Sequence, residues 1–407
     1  MKITVLEHQK IYISKNRDLE KLKISKKDAD ILRTFDINNG IFKWGNNYVI
    51  PQQWIGIISF ADFSIEILPK IADKNIEDVR NVLIDMFKVA HDIPIKNNID
   101  SNVHFVKNGL IELLIYNFTQ SVNMYIKSGL INLYKKNTNN LSSVKGTIDF
   151  SKQITKNAMN PTRFICKYSK LDINNTINHF IKFTLVKMKQ LSKDYTNIKN
   201  LNNISLHFHD VSLLSINQIQ PSNIKISRNN FRLKDVINYC NVFLDGLNIG
   251  LAKGNNSVSS MLFDMNKLFE KFIYKSYKKL YSNNVSYQYN KSYLLENTCT
   301  GTKKINLKPD IIITDKTLGK IVLDTKWKLI KKFIKESDAY QMNAYISSID
   351  KVNSVILLYP YSSGIINCIG DYKFLGFSGT KLLKIRGIDL SLINKSNFNK
   401  HLLDILN

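Results

Sequence analysis

The sequence predicts an α+β protein in which a β-rich region (residues 1–75), a mixed helical region (76–253) and a mixed α/β domain (254–407) follow one another. Apolar residues alternate with polar ones before residue 75, recur at intervals of three and four after it, and show both spacings beyond residue 254. The polar stretch Gly254–Ser260 marks the second change. A chain of 407 residues is long enough for about two to three domains.

The first two regions are predicted from these spacings. Strands are expected in NYVIPQQWIGIISF and ADFSIEILPKI, where apolar and polar residues alternate between proline and glycine breaks. The segment NIEDVRNVLIDMFKVA has apolar residues at intervals typical of an amphipathic helix. Further along we expect an exposed polar loop at Lys135–Ser143, a helix at Asn175–Lys193, strands and turns over 205–232, and a helix at Val236–Leu247.

The third region alternates helices with short apolar runs of strand length, which is typical of a mixed α/β domain. In chain order we expect a helix at Met261–Tyr281, strands at Val285–Tyr289, Ile305–Thr314 and Lys320–Lys326, a helix at Ser337–Ile349, and a strand at Ser354–Tyr359.

The chain is strongly basic, with 58 Lys and Arg against 33 Asp and Glu and a formal net charge of +25. Such an excess favours a polyanionic partner, either nucleic acid or an anionic membrane surface. Only seven of the 58 are arginines, however, and lysine, asparagine and isoleucine abound, as an AT-rich genome would also produce. The charge by itself therefore does not establish the partner.

Several classes of protein are disfavoured. The N-terminal segment MKITVLEHQKIYISK lacks the apolar core of a secretory signal, and no apolar run reaches the length of a membrane span, so we expect a cytoplasmic protein that does not enter a membrane. The four cysteines lie far apart and are expected to be reduced thiols, namely Cys166, Cys240, Cys299 and Cys368. Because no phosphate-binding P-loop motif occurs, nucleotide hydrolysis by this chain is not expected.

One segment, LKPDIIITDKTLGKIVLDTKWK, combines two strands with charged residues. If its turn is centred on Thr317, an antiparallel register places Asp310 opposite Asp324 on the same face. Two carboxylates this close repel each other unless a cation bridges them, and hard oxygen ligands suit Mg²⁺. Lys326 follows Asp324 by two residues on that face, where it could orient or deprotonate a water molecule. The backbone carbonyl of Thr325 is a further candidate metal ligand.

Two flanking helices contribute candidates as well. Glu270 lies in MNKLFEKFIYKSY, from which its carboxylate could reach the metal, and Gln341 lies in SDAYQMNAYI, where an amide could hold a phosphate or a water molecule. A simpler interpretation is also open. The hairpin could carry solvated charges at its edges, with Asp324 merely paired to Lys326, and Glu270 and Gln341 would then be ordinary surface residues. Against it, both aspartates interrupt apolar strands, where an unpaired charge is costly.

The pattern of Pro309-Asp310 followed by Asp324-Thr325-Lys326 resembles the PD-(D/E)XK nuclease superfamily. Other segments extend the likeness over most of the chain and resemble the McrC family, the nuclease subunits of McrBC-type modification-dependent restriction systems. These segments are IGIISFADFSIEILPKI, VKGTIDF, RFICKYSKLDINNTINHFI, LFEKFIY, KPDIII, VLDTKWK, YQMNAY and VILLYP.

The resemblance implies a restriction-endonuclease-like domain over 254–407 and a partner-binding region over 1–253. It further implies Mg²⁺-dependent cleavage of double-stranded DNA containing 5-methylcytosine, with Mn²⁺ able to substitute, as part of antiviral defence. Asp310, Asp324, Thr325 and Glu270 would hold the metal, while Lys326 and Gln341 would act beside it. GTP would enter only through an AAA+ GTPase subunit of the McrB kind, which the N-terminal part would stimulate.

Two other functions remain compatible with the residues. The chain could be a PD-(D/E)XK nuclease of repair or of a mobile element that acts without a GTPase. It could instead be a DNA-binding adaptor without enzymatic activity, whose acidic cluster is structural.

Overall fold

The computed structural model describes residues 2–18, 21–37, 39–60, 63–71, 74–95, 109–226, 228–247, 259–328, 330, 333–377 and 379–407. It confirms an α+β protein. The chain forms two compact units, which we call unit 1 (Met1–Ile111 with Asp245–Asn407) and unit 2 (Glu112–Leu244).

The strands are β1 (Lys2–Leu6), β2 (Ile11–Ser14), β3 (Lys23–Ser25), β4 (Phe42–Trp44), β5 (Tyr48–Pro51), β6 (Trp54–Ser59), β7 (Ser64–Leu68), β8 (Leu133–Leu141), β9 (Thr147–Ile148), β10 (Phe164–Asp172), β11 (Ser259–Asp264), β12 (Val285–Tyr287), β13 (Ser292–Glu296), β14 (Lys303–Leu307), β15 (Ile311–Asp315), β16 (Gly319–Thr325), β17 (Val352–Pro360), β18 (Gly370–Lys373) and β19 (Leu382–Ile388).

The α-helices are α1 (Lys26–Asp36), α2 (Ile76–His91), α3 (Leu110–Lys127), α4 (Phe150–Lys156), α5 (Thr176–Leu191), α6 (Tyr195–Leu206), α7 (Ile216–Ile219), α8 (Lys234–Leu247), α9 (Met265–Tyr281), α10 (Glu336–Ser348) and α11 (Phe398–Leu406).

A four-stranded sheet in unit 1 joins both ends of the chain, in the order β1-β7-β6-β11. Strand β11 pairs with β6 from Ser259 opposite Ser59 to Asp264 opposite Trp54. Gly56 permits this close approach, because a Cβ atom at that position would lie 2.0 Å from the carbonyl oxygen of Met261. Helix α9 then packs against α2.

The compact units therefore differ from the predicted division into 1–253 and 254–407. The strand that follows residue 258 completes a sheet whose other strands lie before residue 69, so the two ends of the chain share one unit. The boundary at 253/254 itself lies outside the described residues.

The β-rich N-terminal region also contains a helix that the sequence analysis did not predict. Helix α1 begins at a capping box, in which the Ser25 side chain accepts a hydrogen bond from the Asp28 backbone N–H and the Asp28 carboxylate accepts one from that of Ser25. It accompanies a second sheet, of order β3-β2-β5-β4.

Unit 2 corrects two expectations about local structure. The polar stretch expected to be a loop is largely strand β8, which pairs with β10 from Leu133 opposite Asp172 to Leu141 opposite Phe164. Its side chains are mostly exposed on both faces, so backbone pairing forms the strand without an apolar alternation in the sequence. Over 205–232 the described residues form no strands, only the end of α6, turns, α7 and short 3₁₀ segments.

The larger sheet of unit 1 has the order β12-β15-β16-β17-β19-β18. Strands β16, β17 and β19 are parallel to one another, and β15 pairs with β16 as an antiparallel hairpin. Helix α10 packs against β17, and α9 contacts β15 and β16. This sheet and its two helices carry all the residues singled out as site candidates. Within the described residues, no helix is both long and apolar enough to cross a membrane.

A buried ion-pair cluster stabilises the sheet that joins the two ends of the chain. Glu66 in β7 is 4% exposed, and its carboxylate contacts Lys2 (Nζ–Oε2 3.0 Å), Arg80 and the Thr4 hydroxyl. Burial by itself would raise the pKa of Glu66, but Lys2 and Arg80 outweigh it and hold the pKa below its usual value.

We expect Glu66→Gln to lower the free energy of unfolding of unit 1 at pH 7 by about 3 kcal/mol, because it removes a buried negative charge that two half-buried cations share. A lowered pKa means that this stabilisation is present above the unfolded pKa near 4.5 and is lost as the pH falls through the folded pKa. Urea unfolding at pH 7 and pH 3 measures the difference. Glu77→Gln, on the exposed side of α2, is the matched control. An equally large effect of Glu66→Gln at both pH values would contradict this account.

Candidate active site

The β15–β16 hairpin has the predicted register. Ile311 lies opposite Leu323 and Asp315 opposite Gly319, so the same register carried one step further places Asp310 opposite Asp324. Asp324 is almost fully buried and Asp310 is half-buried. The turn therefore brings two carboxylates together at the end of an apolar hairpin.

Thr325 holds the first of these carboxylates in place. Oδ2 of Asp310 accepts hydrogen bonds from the Thr325 backbone N–H (2.7 Å) and from its hydroxyl (2.8 Å). Burial nevertheless raises the pKa of Asp310, and the two Thr325 bonds offset only part of that rise. The side chain of Thr325 was not among the predicted features, which concerned only its backbone carbonyl.

Asp324 lies in the least favourable electrostatic position of the site. Burial first, and then repulsion from Asp310, raise its pKa well above the usual value. Its Oδ2 atom is 2.7 Å from Nζ of Lys326, and among the described residues it accepts no hydrogen bond of regular geometry. A buried carboxylate oxygen without a regular partner is suited to receive an additional cation.

Lys326 is held between a carboxylate and an amide. Its Nζ atom donates a hydrogen bond to Oε1 of Gln341 (2.9 Å) in addition to the ion pair with Asp324. Burial alone would lower the pKa of Lys326, but the negative charge of Asp324 and Asp310 raises it overall. The side chain is therefore an ammonium group, which can stabilise or orient a negatively charged group but cannot accept a proton.

Gln341 joins α10 to both strands of the hairpin. Its Nε2 atom donates to the Tyr345 hydroxyl (2.7 Å) and lies 3.4 Å from Oδ1 of Asp324. The Tyr345 hydroxyl in turn donates to the backbone carbonyl of Lys308 (3.1 Å), just ahead of Pro309-Asp310. Tyr345 was not predicted as a site residue, although it follows Gln341 by one helical turn and so shares its face.

Glu270 approaches Asp310 from helix α9. Gln288 links the two residues, because its side-chain amide donates to Oε1 of Glu270 (3.1 Å) and its backbone N–H donates to the carbonyl of Asp310 (2.8 Å). Burial, followed by the charge of Asp310, raises the pKa of Glu270 to about 7. The structure thus brings all the predicted candidates together around one hairpin. Gln288 carried no functional signal in the sequence. It fell inside the predicted strand Val285–Tyr289, whereas the strand β12 ends one residue before it.

The oxygen atoms of this site suit a hard divalent cation. Asp310 and Asp324 face each other, and Glu270 is close enough to Asp310 for the Asp310 charge to raise the pKa of Glu270. In the part of the chain that the structure describes, no group of three His, Cys, Asp or Glu side chains converges as a complete metal cage. Mg²⁺ does not need such a cage, because it is commonly bound by one or two carboxylates together with water and substrate phosphate.

A mixed sheet with Pro-Asp ahead of one hairpin strand and Asp-x-Lys at the end of the next defines a restriction-endonuclease-like domain of the PD-(D/E)XK class. A model of the McrBC family, described as the McrBC 5-methylcytosine restriction system component, matches residues 49–360. This match covers most of the chain, and the chain belongs to that family. Membership implies an endonuclease activity.

Two relatives agree with this assignment. The chain is 23% identical over 289 residues to the type IV methyl-directed restriction enzyme EcoKMcrBC of Escherichia coli (strain K12), across 66% of this chain and 82% of that protein. It also resembles a chain in the half-complex from the tetradecameric assembly of Thermococcus gammatolerans McrB AAA+ hexamers with bound McrC. There the TM-score is 0.63 at 17% identity, over 100% of this chain and 99% of that chain, which shows a common fold.

We expect Thr325→Val to lower the free energy of unfolding by about 1.5 kcal/mol, since the charged Asp310 loses a hydroxyl donor while the shape of the side chain is kept. Thr314→Val, at an exposed position of the same hairpin, is the matched control and should change the free energy of unfolding by at most about 0.5 kcal/mol. Urea unfolding at neutral pH compares the two variants. Equal losses would show that the Thr325 hydroxyl does not stabilise Asp310.

Proposed function

We propose that the chain is the nuclease subunit of an McrBC-type restriction complex and that it hydrolyses phosphodiester bonds of modified foreign DNA at the β15–β16 hairpin. The observation that supports this most strongly is the convergence of Asp310, Asp324 and Lys326 at one end of the hairpin, inside the range matched by the family. Like charges are costly in such a place, and catalysis is a reason to keep them there.

We further propose a Mg²⁺ ion, replaceable by Mn²⁺, held by Asp310, Asp324 and the Thr325 backbone carbonyl, with Glu270 as a helper. When bound, it would supply Lewis-acid stabilisation of the charge that develops at the attacked phosphate. The buried Oδ2 atom of Asp324, which faces the Lys326 ammonium group, and the all-oxygen donor set support this choice of ion.

The side chains around the carboxylates have separate tasks in this proposal. Lys326, as an ammonium group, holds the scissile phosphate and the attacking water in line. Gln341 keeps Lys326 in that orientation through its 2.9 Å contact. Glu270, which is linked to Asp310 through Gln288, adds a further carboxylate on the Asp310 side of the site.

The partner proposed for this chain is an AAA+ GTPase of the McrB kind. In the T. gammatolerans assembly, McrB AAA+ hexamers carry bound McrC, and the chain compared there matches this one over its full length. GTP would then act only through the partner. We assign stimulation of the partner to the N-terminal part, recognition of 5-methylcytosine to the partner, and a cytoplasmic location to the complex. The +25 charge supports binding to the phosphates of double-stranded DNA.

We expect Asp310→Ala, Asp324→Ala and Lys326→Ala each to lower cleavage of methylated DNA by at least about a hundredfold, because each removes a group that binds the reacting atoms. Single-turnover cleavage with the AAA+ partner and GTP present measures this. Asp315→Asn, which keeps the acceptor oxygen that holds the turn of the same hairpin, and Lys320→Ala, earlier in β16, are the matched controls and should cut at the wild-type rate. Cleavage by Asp324→Ala at the wild-type rate would exclude the proposed site.

The proposed metal can be tested without measuring activity. We expect Mg²⁺ or Mn²⁺ to raise the Tm of the full-length chain, because a cation bound to the folded state relieves the repulsion between Asp310 and Asp324. Asp324→Asn should abolish this rise, whereas Asp315→Asn should keep it. A metal-dependent rise of the same size in Asp324→Asn, measured by calorimetry against an EDTA baseline, would refute the proposed ligand set.

A further inference from the structure

The three residues that follow strand β16 are each held by a different part of unit 1. The backbone N–H of Lys326 donates to the carbonyl of Leu358 in β17 (2.9 Å). The Lys328 side chain forms an ion pair with a carboxylate of α10. Between them, the Trp327 indole donates through Nε1 to Oε2 of Glu7 (2.9 Å), a residue that follows strand β1 near the start of the chain.

Glu7 occupies a position where a carboxylate is costly. Its side chain is 1% exposed. Within the part of the chain that the structure describes, Oε1 accepts no hydrogen bond, and Oε2 accepts from Trp327 and from the Lys70 backbone N–H (3.2 Å). Burial raises the pKa of Glu7 to about 7, partly offset by the Trp327 bond. A buried carboxylate is costly, and its contacts with Trp327 and with the Lys70 backbone N–H offset part of that cost. Of these two contacts, the one with Trp327 reaches the nuclease site.

The Trp327 ring contacts a second element of the site. It packs edge-on against the Phe269 ring, with centroids 5.3 Å apart and an interplanar angle of 62°. Phe269 directly precedes Glu270 in α9, and Trp327 directly follows Lys326. The indole therefore belongs to the chain neighbour of Lys326 and contacts the chain neighbour of Glu270, and it is oriented by its hydrogen bond to Glu7.

We infer that Glu7 and Trp327 are a positioning pair of the nuclease site, in which the Glu7 carboxylate fixes the Trp327 indole and thereby orients Lys326 and Glu270 toward Asp310 and Asp324. This inference rests on the proposed function. Neither residue touches the reacting atoms. Their effect is geometric, and a displacement of about 1 Å at a reacting group can cost about a hundredfold in rate.

The test is a kinetic comparison in the full-length chain with its AAA+ partner. Trp327→Phe keeps a ring against Phe269 but removes the indole N–H, and it should lower kcat for cleavage about ten- to a hundredfold with KM for DNA unchanged. Glu7→Gln retains an acceptor oxygen and should stay within about twofold of the wild type, whereas Glu7→Met removes the acceptor and should behave like Trp327→Phe. Because the two residues act through one bond, combining Glu7→Met with Trp327→Phe should cost no more than either alone.

The N-terminal region offers a matched control for the loss of a buried indole hydrogen bond. Trp44 donates through Nε1 to Oδ2 of Asp36 (2.8 Å). This is also a hydrogen bond from an indole to a carboxylate, but it lies beside strand β4, in a different sheet from the hairpin. Trp44→Phe should lower the free energy of unfolding about as much as Trp327→Phe, yet leave kcat unchanged. This comparison separates positioning from general stability.

Each outcome decides the inference. Three results would overturn the positioning role while the proposed function stands. They are a wild-type kcat in Trp327→Phe, equal losses of kcat in Trp44→Phe and Trp327→Phe, and a loss of kcat in the double variant equal to the product of the two single losses. Wild-type cleavage by Asp324→Ala, included in the same series, would overturn the proposed function and the positioning role with it.

Discussion

The structure of the site depends on one electrostatic constraint, namely that two carboxylates lie opposite each other at the end of an apolar hairpin. Repulsion and burial both disfavour the charged forms of these carboxylates, and the neighbouring side chains offset part of that cost. Thr325 donates twice to Asp310, and Lys326 pairs with Asp324. Gln341 then orients Lys326. The proposed cation would neutralise the negative charge of the two carboxylates that Lys326 and Thr325 do not compensate.

Much of this site could be predicted from the sequence because its geometry is local. The turn at Asp315–Gly319 determines the register of two short strands, and the register alone places Asp310 and Asp324 face to face. Glu270 and Gln341 could be nominated because helical periodicity separates them from the buried faces of α9 and α10. These inferences needed no contact between distant parts of the chain.

What could not be predicted depends on contacts that no local pattern encodes. Strand β11 follows the change in composition near residue 254, yet it pairs with β6 from the N-terminal region. The predicted division of the chain therefore did not match its compact units. Strand β8 is exposed on both faces and has no apolar alternation to reveal it. The partnership of Glu7 with Trp327 joins opposite ends of the chain, and the capping box of α1 lies in a region dominated by strand signals.

The pairing of β6 with β11 also determines when this protein can fold during its synthesis. Strand β6, which contains Ser59, can pair with β11 only after Ser259 has been synthesised, and all of unit 2 leaves the ribosome between the two strands. Contacts between such distant segments form late, whereas a unit with local contacts can fold as soon as it is made. A nascent chain that stops short of β11 therefore lacks both the finished sheet and the hairpin with its carboxylates, so such a product carries none of the residues proposed for the nuclease site.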